Sequence, residues 1–407
     1  MISHYGGIIK LNRIQLDLTI DYISIKTGIS KSQISRIERN KEAISLQSIN
    51  KIFSIMNINI APENIDLQFE KDFQTFYSDV FYLKDYELSY KILKEYASIV
   101  RSTLSYIKYL LSDMIYSINI GNYKNASDYT YLEKYFDYLE SYQIQLFYDY
   151  IGVIHYLNGC YLESCLFYNK ALTHSGDDNS TAMVAFHKSI SLTLIGELNE
   201  AFEYARKARE IFADNVNIKR LTSVNFQIAR IYSMNGNYKK SEKLNLACID
   251  AFTNLGSYNE VKDTYNNLIW NYIRANEFDK ILSLEDTVLK IMNEDHCIFF
   301  YLSYTYYKMG DLDKAQNYIL KAKDNLINPT SYMKTMISSF KIFLSDSSNE
   351  RKEKNLIKTY NVAKKSNSID LEIFTMELLK EFYTITSNKE EEYKCMKVLL
   401  DYYKTKK

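Results

Sequence analysis

Ile29-Ser-Lys-Ser-Gln-Ile-Ser-Arg-Ile-Glu-Arg39 is the stretch that decides how this chain is read. Ser30 is a helix cap, because its hydroxyl can accept from an orphan N–H of the first turn. Ile34 and Ile37 stand three apart and face inward, while Lys31, Ser32, Gln33 and Arg36 share the opposite, polar face. Upstream, Thr19 caps a helix over Ile20–Thr27, and Gly28 supplies the left-handed residue that ends it. Two short helices joined by so tight a turn have helix-turn-helix geometry, with the second helix shaped for a DNA major groove.

Working outward, residues 5–17 are expected to form a first helix with Ile8, Ile9 and Leu11 packing inward. Ser45 caps a fourth helix whose apolar face is Leu46, Ile49, Ile52, Phe53 and Met56. Residues 9–57 resemble the XRE/Cro-type repressor domain, through the Ile29–Arg39 stretch and Asn12-Arg-Ile-Gln-Leu-Asp-Leu-Thr19 before it. The resemblance places Arg13 beside Glu38, where an ion pair would tie the first helix to the recognition helix. Ile20 departs from the family, which has Gln after the capping Thr, so one phosphate contact is missing. Candidate DNA-binding residues are Lys31, Ser32, Gln33, Arg36, Arg39 and Lys41. Gln33 and Arg36 would read base edges, and Arg39 and Lys41 would meet phosphates.

Charge supports a head of this kind. The 407 residues carry 50 basic and 50 acidic side chains, yet residues 1–60 hold eight Lys/Arg against four acids. The remainder is correspondingly acidic, so an electrostatic footprint for DNA exists at one end only. Pro62 and the broken pattern around it set a boundary: a DNA-binding domain over 1–60, then a linker over 61–69.

Beyond the boundary the sequence repeats. Corners recur as Leu83-Lys-Asp-Tyr86, Ile120-Gly-Asn-Tyr123, Asn158-Gly-Cys-Tyr161, Ile195-Gly-Glu-Leu198, Asn235-Gly-Asn-Tyr238, Ala275-Asn-Glu-Phe278 and Met309-Gly-Asp-Leu312. Their second residues are separated by 37, 38, 37, 40, 40 and 34 positions, the period of a helical-hairpin solenoid. Small residues follow inside the next helix, at Ala126, Ser164, Ala201, Ser241 and Ala315, where paired helices must approach closely. These units resemble tetratricopeptide repeats. The expected fold class is therefore all-α: a helix-turn-helix head, a repeat domain over 70–329 and a helical region over 330–407. That last region carries one stripe at Leu371, Phe374, Leu378, Leu379 and Phe382, and another at Cys395, Val398, Leu399 and Tyr402. It either caps the solenoid or pairs two copies of the chain.

Enzymatic chemistry has little support. The glycines are isolated corner residues apart from Gly6-Gly7, so there is no phosphate-binding loop. His4, His155, His174, His187 and His296 show no metal-ligand spacing, and the five cysteines form no framework. His155 reads as a core residue. No cofactor, metal or catalytic residue is expected. The lack of a leader or a membrane-length apolar run points to a cytoplasmic protein with no membrane partner.

A solenoid offers a groove lined by the first helix of each repeat. Aligning the corners puts Gln227 and Arg230 in that groove, then Asn266, Asn267, Trp270 and Arg274, then Tyr301, Tyr304 and Lys308. Carboxamides both donate to and accept from peptide backbone, and aromatic walls with a few polar anchors make specific pockets. The whole architecture resembles the RRNPP regulators, the Rap, Rgg, NprR, PlcR and PrgX group, and the phage arbitrium receptors. Rap-type phosphatase regulators lack the DNA-binding head, which argues against that branch. The resemblance implies a homodimeric quorum-sensing transcription factor that binds double-stranded operator DNA and a short signalling peptide. The competing reading is a DNA-tethered adaptor whose repeats hold a protein.

Overall fold

The computed structural model describes residues 5–326, 331–365 and 369–404, and among these no strand occurs. His4 and Pro329 lie outside the described residues. The chain divides into two compact units, Met1–His187 and Lys188–Lys407.

The first unit opens with α1 (Tyr5–Gln15), α2 (Ile20–Thr27), α3 (Lys31–Glu38) and α4 (Leu46–Ile55). Each expected cap is made. Thr19 Oγ1 accepts from Tyr22 N at 3.0 Å, Ser30 Oγ from Gln33 N at 3.2 Å, and Ser45 Oγ from Ser48 N at 3.2 Å. Gly28 ends α2 at φ 75°, a conformation costly for any residue with a Cβ. Then come α5 (Ile65–Tyr82), α6 (Tyr86–Glu95), α7 (Ser105–Asn119), a 3₁₀ stretch Ala126–Tyr138, α8 (Ser141–Leu157), α9 (Tyr161–Leu172) and the start of α10 (Asp178–Leu194).

Two of the differences from the sequence reading concern how the head joins the rest. The segment 61–69 does not separate one core from another: α5 starts inside it, and Phe69 is buried in one cluster with Ile9, Phe53 and Phe147. Buried Asn12 donates to Arg101 O at 2.8 Å and accepts from Arg101 Nε at 2.9 Å, and Tyr106 donates to Gln15 at 2.6 Å. The head is therefore fused to the helices after it. The second difference is Ala126–Tyr138, which the repeat pattern makes an α-helix. Its buried residues are Tyr129, Leu132 and Tyr135, spaced by three. That is the period of a 3₁₀ helix, and the Tyr, Phe, Asp and Thr residues of this segment give it little α-helical propensity to oppose that winding.

The second unit continues through α11 (Leu198–Asp214), α12 (Ile218–Met234), α13 (Tyr238–Asn254), α14 (Tyr258–Ala275), α15 (Phe278–Ile291), α16 (His296–Lys308) and α17 (Leu312–Asp324). It ends with α18 (Ser331–Leu344), α19 (Asn349–Lys365), α20 (Ile369–Ile385) and α21 (Lys389–Lys404). The corners at Gly196, Gly236, Asn276 and Gly310 all take positive φ. Ala201, Ser241 and Ala315 are fully buried where helices of a pair touch. At the first corner of the chain the left-handed residue is Leu83, one position earlier than expected. Leu371, Phe374, Leu378, Leu379 and Phe382 all enter the core. In the following stripe Cys395 and Leu399 are buried but Val398 is exposed, and the Tyr402 side chain lies outside the described ones. Among the described residues no helix is long and apolar enough to cross a membrane.

Candidate functional site

The polar face of α3 is solvent-exposed and pre-arranged by acids. Lys31 Nζ pairs with Asp21 at 2.6 Å, and Ser32 Oγ lies 3.1 Å from Ser30 Oγ. Gln33 Nε2 donates to Glu42 Oε1 at 2.9 Å, while Arg36 Nε donates to the other oxygen of the same carboxylate at 2.6 Å. The hydrogen bond from Arg36 holds the Glu42 carboxyl below its usual range. Arg39 folds back, its Nε donating to Ser35 O at 3.0 Å, and Lys41 is exposed just beyond the helix.

Beneath that face Arg13 and Glu38 form the expected pair, with Nε–Oε1 at 2.6 Å and Nη2–Oε2 at 2.9 Å. Their side chains are 14% and 4% exposed, so this bidentate contact fixes α3 on α1 from inside.

In the second unit, Trp270, Arg274 and Tyr304 line one cavity of about 340 Å³. Its remaining wall includes Ile373, Phe374 and Glu377 of α20. The other expected groove residues divide. Asn266 is half-buried and its Oδ1 finds no hydrogen-bond partner among the described residues, as is true of Oδ1 of Asn225 on α12. Arg230 is half-buried.

Four expected groove residues are otherwise engaged. Gln227 is buried, its Nε2 donating to Thr193 Oγ1 at 2.7 Å and Ser189 O at 3.2 Å, so it ties α12 to α10. Asn267 Nδ2 donates to Asn245 Oδ1 at 2.8 Å, toward α13. Tyr301 is buried with its ring 5.6 Å from that of Trp270, and buttresses the indole. Lys308 pairs with Glu381 and lies 5.5 Å over the Tyr304 ring. The helices that line a groove also touch one another, so a residue on the expected face can be taken up by a contact to an adjacent helix. His155, read as a core residue, is only half-buried and stacks on Phe167 at 4.9 Å.

Asp295, His296 and Cys297 bring their ligand atoms within 4.8 Å of one another. Asp295 Oδ1 is already the cap of α16, accepting from Cys297 N at 2.7 Å and Ile298 N at 3.2 Å. Burial, aided by Asp295, pushes the Cys297 thiol up to about 12.

With this geometry in place, residues 9–62 match the helix-turn-helix family HTH_3. The head is an XRE-type helix-turn-helix domain. None of the curated proteins matches the chain. Among solved structures, a Rap protein complexed with competence and sporulation factor is 14% identical with TM-score 0.65, covering 83% of this chain and 98% of that one. The apo form of the quorum sensor NprR from B. thuringiensis is 13% identical with TM-score 0.58, covering 83% and 99%. Aspartyl phosphate phosphatase F from Bacillus subtilis is 15% identical with TM-score 0.56, covering 84% and 95%. These likenesses are of fold: a helical repeat solenoid accompanies the helix-turn-helix domain in this chain.

Sequence reasoning missed Glu42, Asn225 and the α20 wall. Glu42 was legible as an acid after the recognition helix, but only the fold of the loop between α3 and α4 brings it back to Gln33 and Arg36. Asn225 lies two positions before Gln227, on a different face of α12. Ile373, Phe374 and Glu377 are about a hundred residues from Trp270 and follow no corner motif.

Proposed function

We propose that this chain is a cytoplasmic transcriptional regulator that binds operator DNA through α3 and a short signalling peptide against α12, α14 and α20. The observation that carries the peptide reading is the cavity holding Trp270, Arg274 and Tyr304, together with the unpartnered Oδ1 atoms of Asn225 and Asn266. A buried carbonyl without a donor is costly, and peptide N–H groups would supply the donors. The indole and Tyr304 then offer an apolar seat, and Arg274 a cation for a carboxylate. The fold shared with the quorum sensor NprR supports the same reading.

On DNA the protein acts as a homodimer, because one helix-turn-helix domain reads a half-site. Tyr393, Met396 and Leu400 leave an exposed apolar stripe on α21 suited to pairing two copies. Peptide occupancy alters how the two heads sit on the operator. Titration calorimetry with synthetic peptides from neighbouring small reading frames tests the ligand class. Binding that is lost in Trp270→Ala supports it, and heat from a folded partner protein but from no peptide would replace it with an adaptor role.

A further inference from the structure

A basic surface adjoins the C-terminal end of α3. A polar cleft of about 270 Å³ opens between α1, the turn after α3 and the 3₁₀ stretch Ala126–Tyr138. Lys10, Arg39, Lys41 and Lys134 line it. The acids on its walls are Asp137 and Glu38, and Glu38 is already neutralised by Arg13 at 2.6 Å. Cations from three separate elements therefore face one opening, and among the described lining residues Asp137 is the one carboxylate without a cation partner.

The arrangement is held rather than fortuitous. Asn40 Nδ2 donates to Tyr138 Oη at 2.6 Å. The Tyr138 ring can approach α1 because residue 7 is glycine: a Cβ there would lie 2.6 Å from the Tyr138 hydroxyl. Lys134 lies just over one 3₁₀ turn before Tyr138, so this contact fixes its backbone relative to Arg39 and Lys41.

We propose that Lys134 is a DNA phosphate contact supplied from outside the helix-turn-helix domain, so that the cleft continues the footprint of Arg39 and Lys41 along the backbone. The inference rests on the DNA-binding reading above. Charge selects the occupant: duplex DNA presents closely spaced phosphates, and Arg39 and Lys41 adjoin the recognition helix directly. The 3₁₀ geometry acquires a role on this view, because an α-helix would not place Tyr138 and Lys134 at these points.

The test is the salt dependence of affinity for a random-sequence duplex, using the full chain. Lys134 is exposed, so Lys134→Gln leaves packing intact. The expected result between about 50 and 200 mM salt is weaker binding by the same factor on every duplex, with a log–log slope shallower by roughly 0.9. Lys134→Arg should restore both. If Lys134→Gln matches the native protein while Lys41→Gln loses affinity and slope, the proposal falls and the DNA-binding reading survives. If the native chain binds no duplex, both fall. Saturable binding of inorganic phosphate that is lost in Lys134→Gln, with duplex affinity unchanged, would assign the cleft to a free anion and overturn the proposal.

Discussion

Glu42 holds both of the side chains expected to read bases, and its chemistry sets two tests. The hydrogen bond from Arg36 holds its carboxyl below the usual glutamate range. A folded-state value below the unfolded one means the clamp is fully present above the unfolded value and is lost as pH falls through the folded one. Carboxyl NMR should show Glu42 titrating below the ordinary glutamate range, and returning toward it in Arg36→Ala. On DNA, Arg36→Ala should cost about 1–3 kcal/mol at the operator and relax specificity at one position. Equal losses on operator and random duplex would remove Arg36 from base reading. A third residue-scale test concerns the pair beneath. Arg13→Met leaves Glu38 buried without its cation, which should cost about 3 kcal/mol by urea denaturation. Adding Glu38→Leu should return much of that loss, because an apolar pair carries no desolvation penalty.

Among the elements, α1 and the 3₁₀ stretch show how closely the head is fitted. A Cβ on Gly6 would lie 1.9 Å from Ile37 O, whereas one on Gly7 meets the movable ring of Tyr138. Overpacking of this kind costs about 1–3 kcal/mol, and backbone obstruction relaxes least. Gly6→Ala should therefore lower the thermal midpoint more than Gly7→Ala does. The reverse order would mean that α1 shifts freely on α3. Gly7→Ala should also weaken DNA binding, because it displaces the segment carrying Lys134.

On the proposed reading, ligand response and assembly are tested at the scale of the whole molecule. Asn266→Ala should weaken peptide binding by about 1–3 kcal/mol, since desolvated ligand groups lose their partner. DNA affinity without peptide should stay unchanged, giving a variant that binds operator but no longer responds. Wild-type response from both Asn266→Ala and Trp270→Ala would place the peptide elsewhere. Light scattering should report a homodimer at micromolar concentration, and Met396→Glu on the exposed α21 stripe should shift it toward monomer.

Local patterns determined the helix-turn-helix domain. Thr19, Gly28, Ser30 and Ser45 each act on a backbone group within a few residues, so their chemistry is complete in the sequence. The repeat corners were legible for the same reason: Gly or Asn at a left-handed position answers a local steric demand. Tertiary structure alone decided the rest. Whether Gln227 faces a groove or Thr193 depends on where α10 sits, and a carboxamide serves either role. The 3₁₀ stretch owes its period to what Tyr129, Leu132 and Tyr135 pack against. Trp270 and Phe374 share a cavity only because α20 folds beside α14 and α16, and no repeat motif marks that contact. Capping and chain reversal are short-range and leave a signature in residue type, while burial and pocket lining depend on partners distant in the chain.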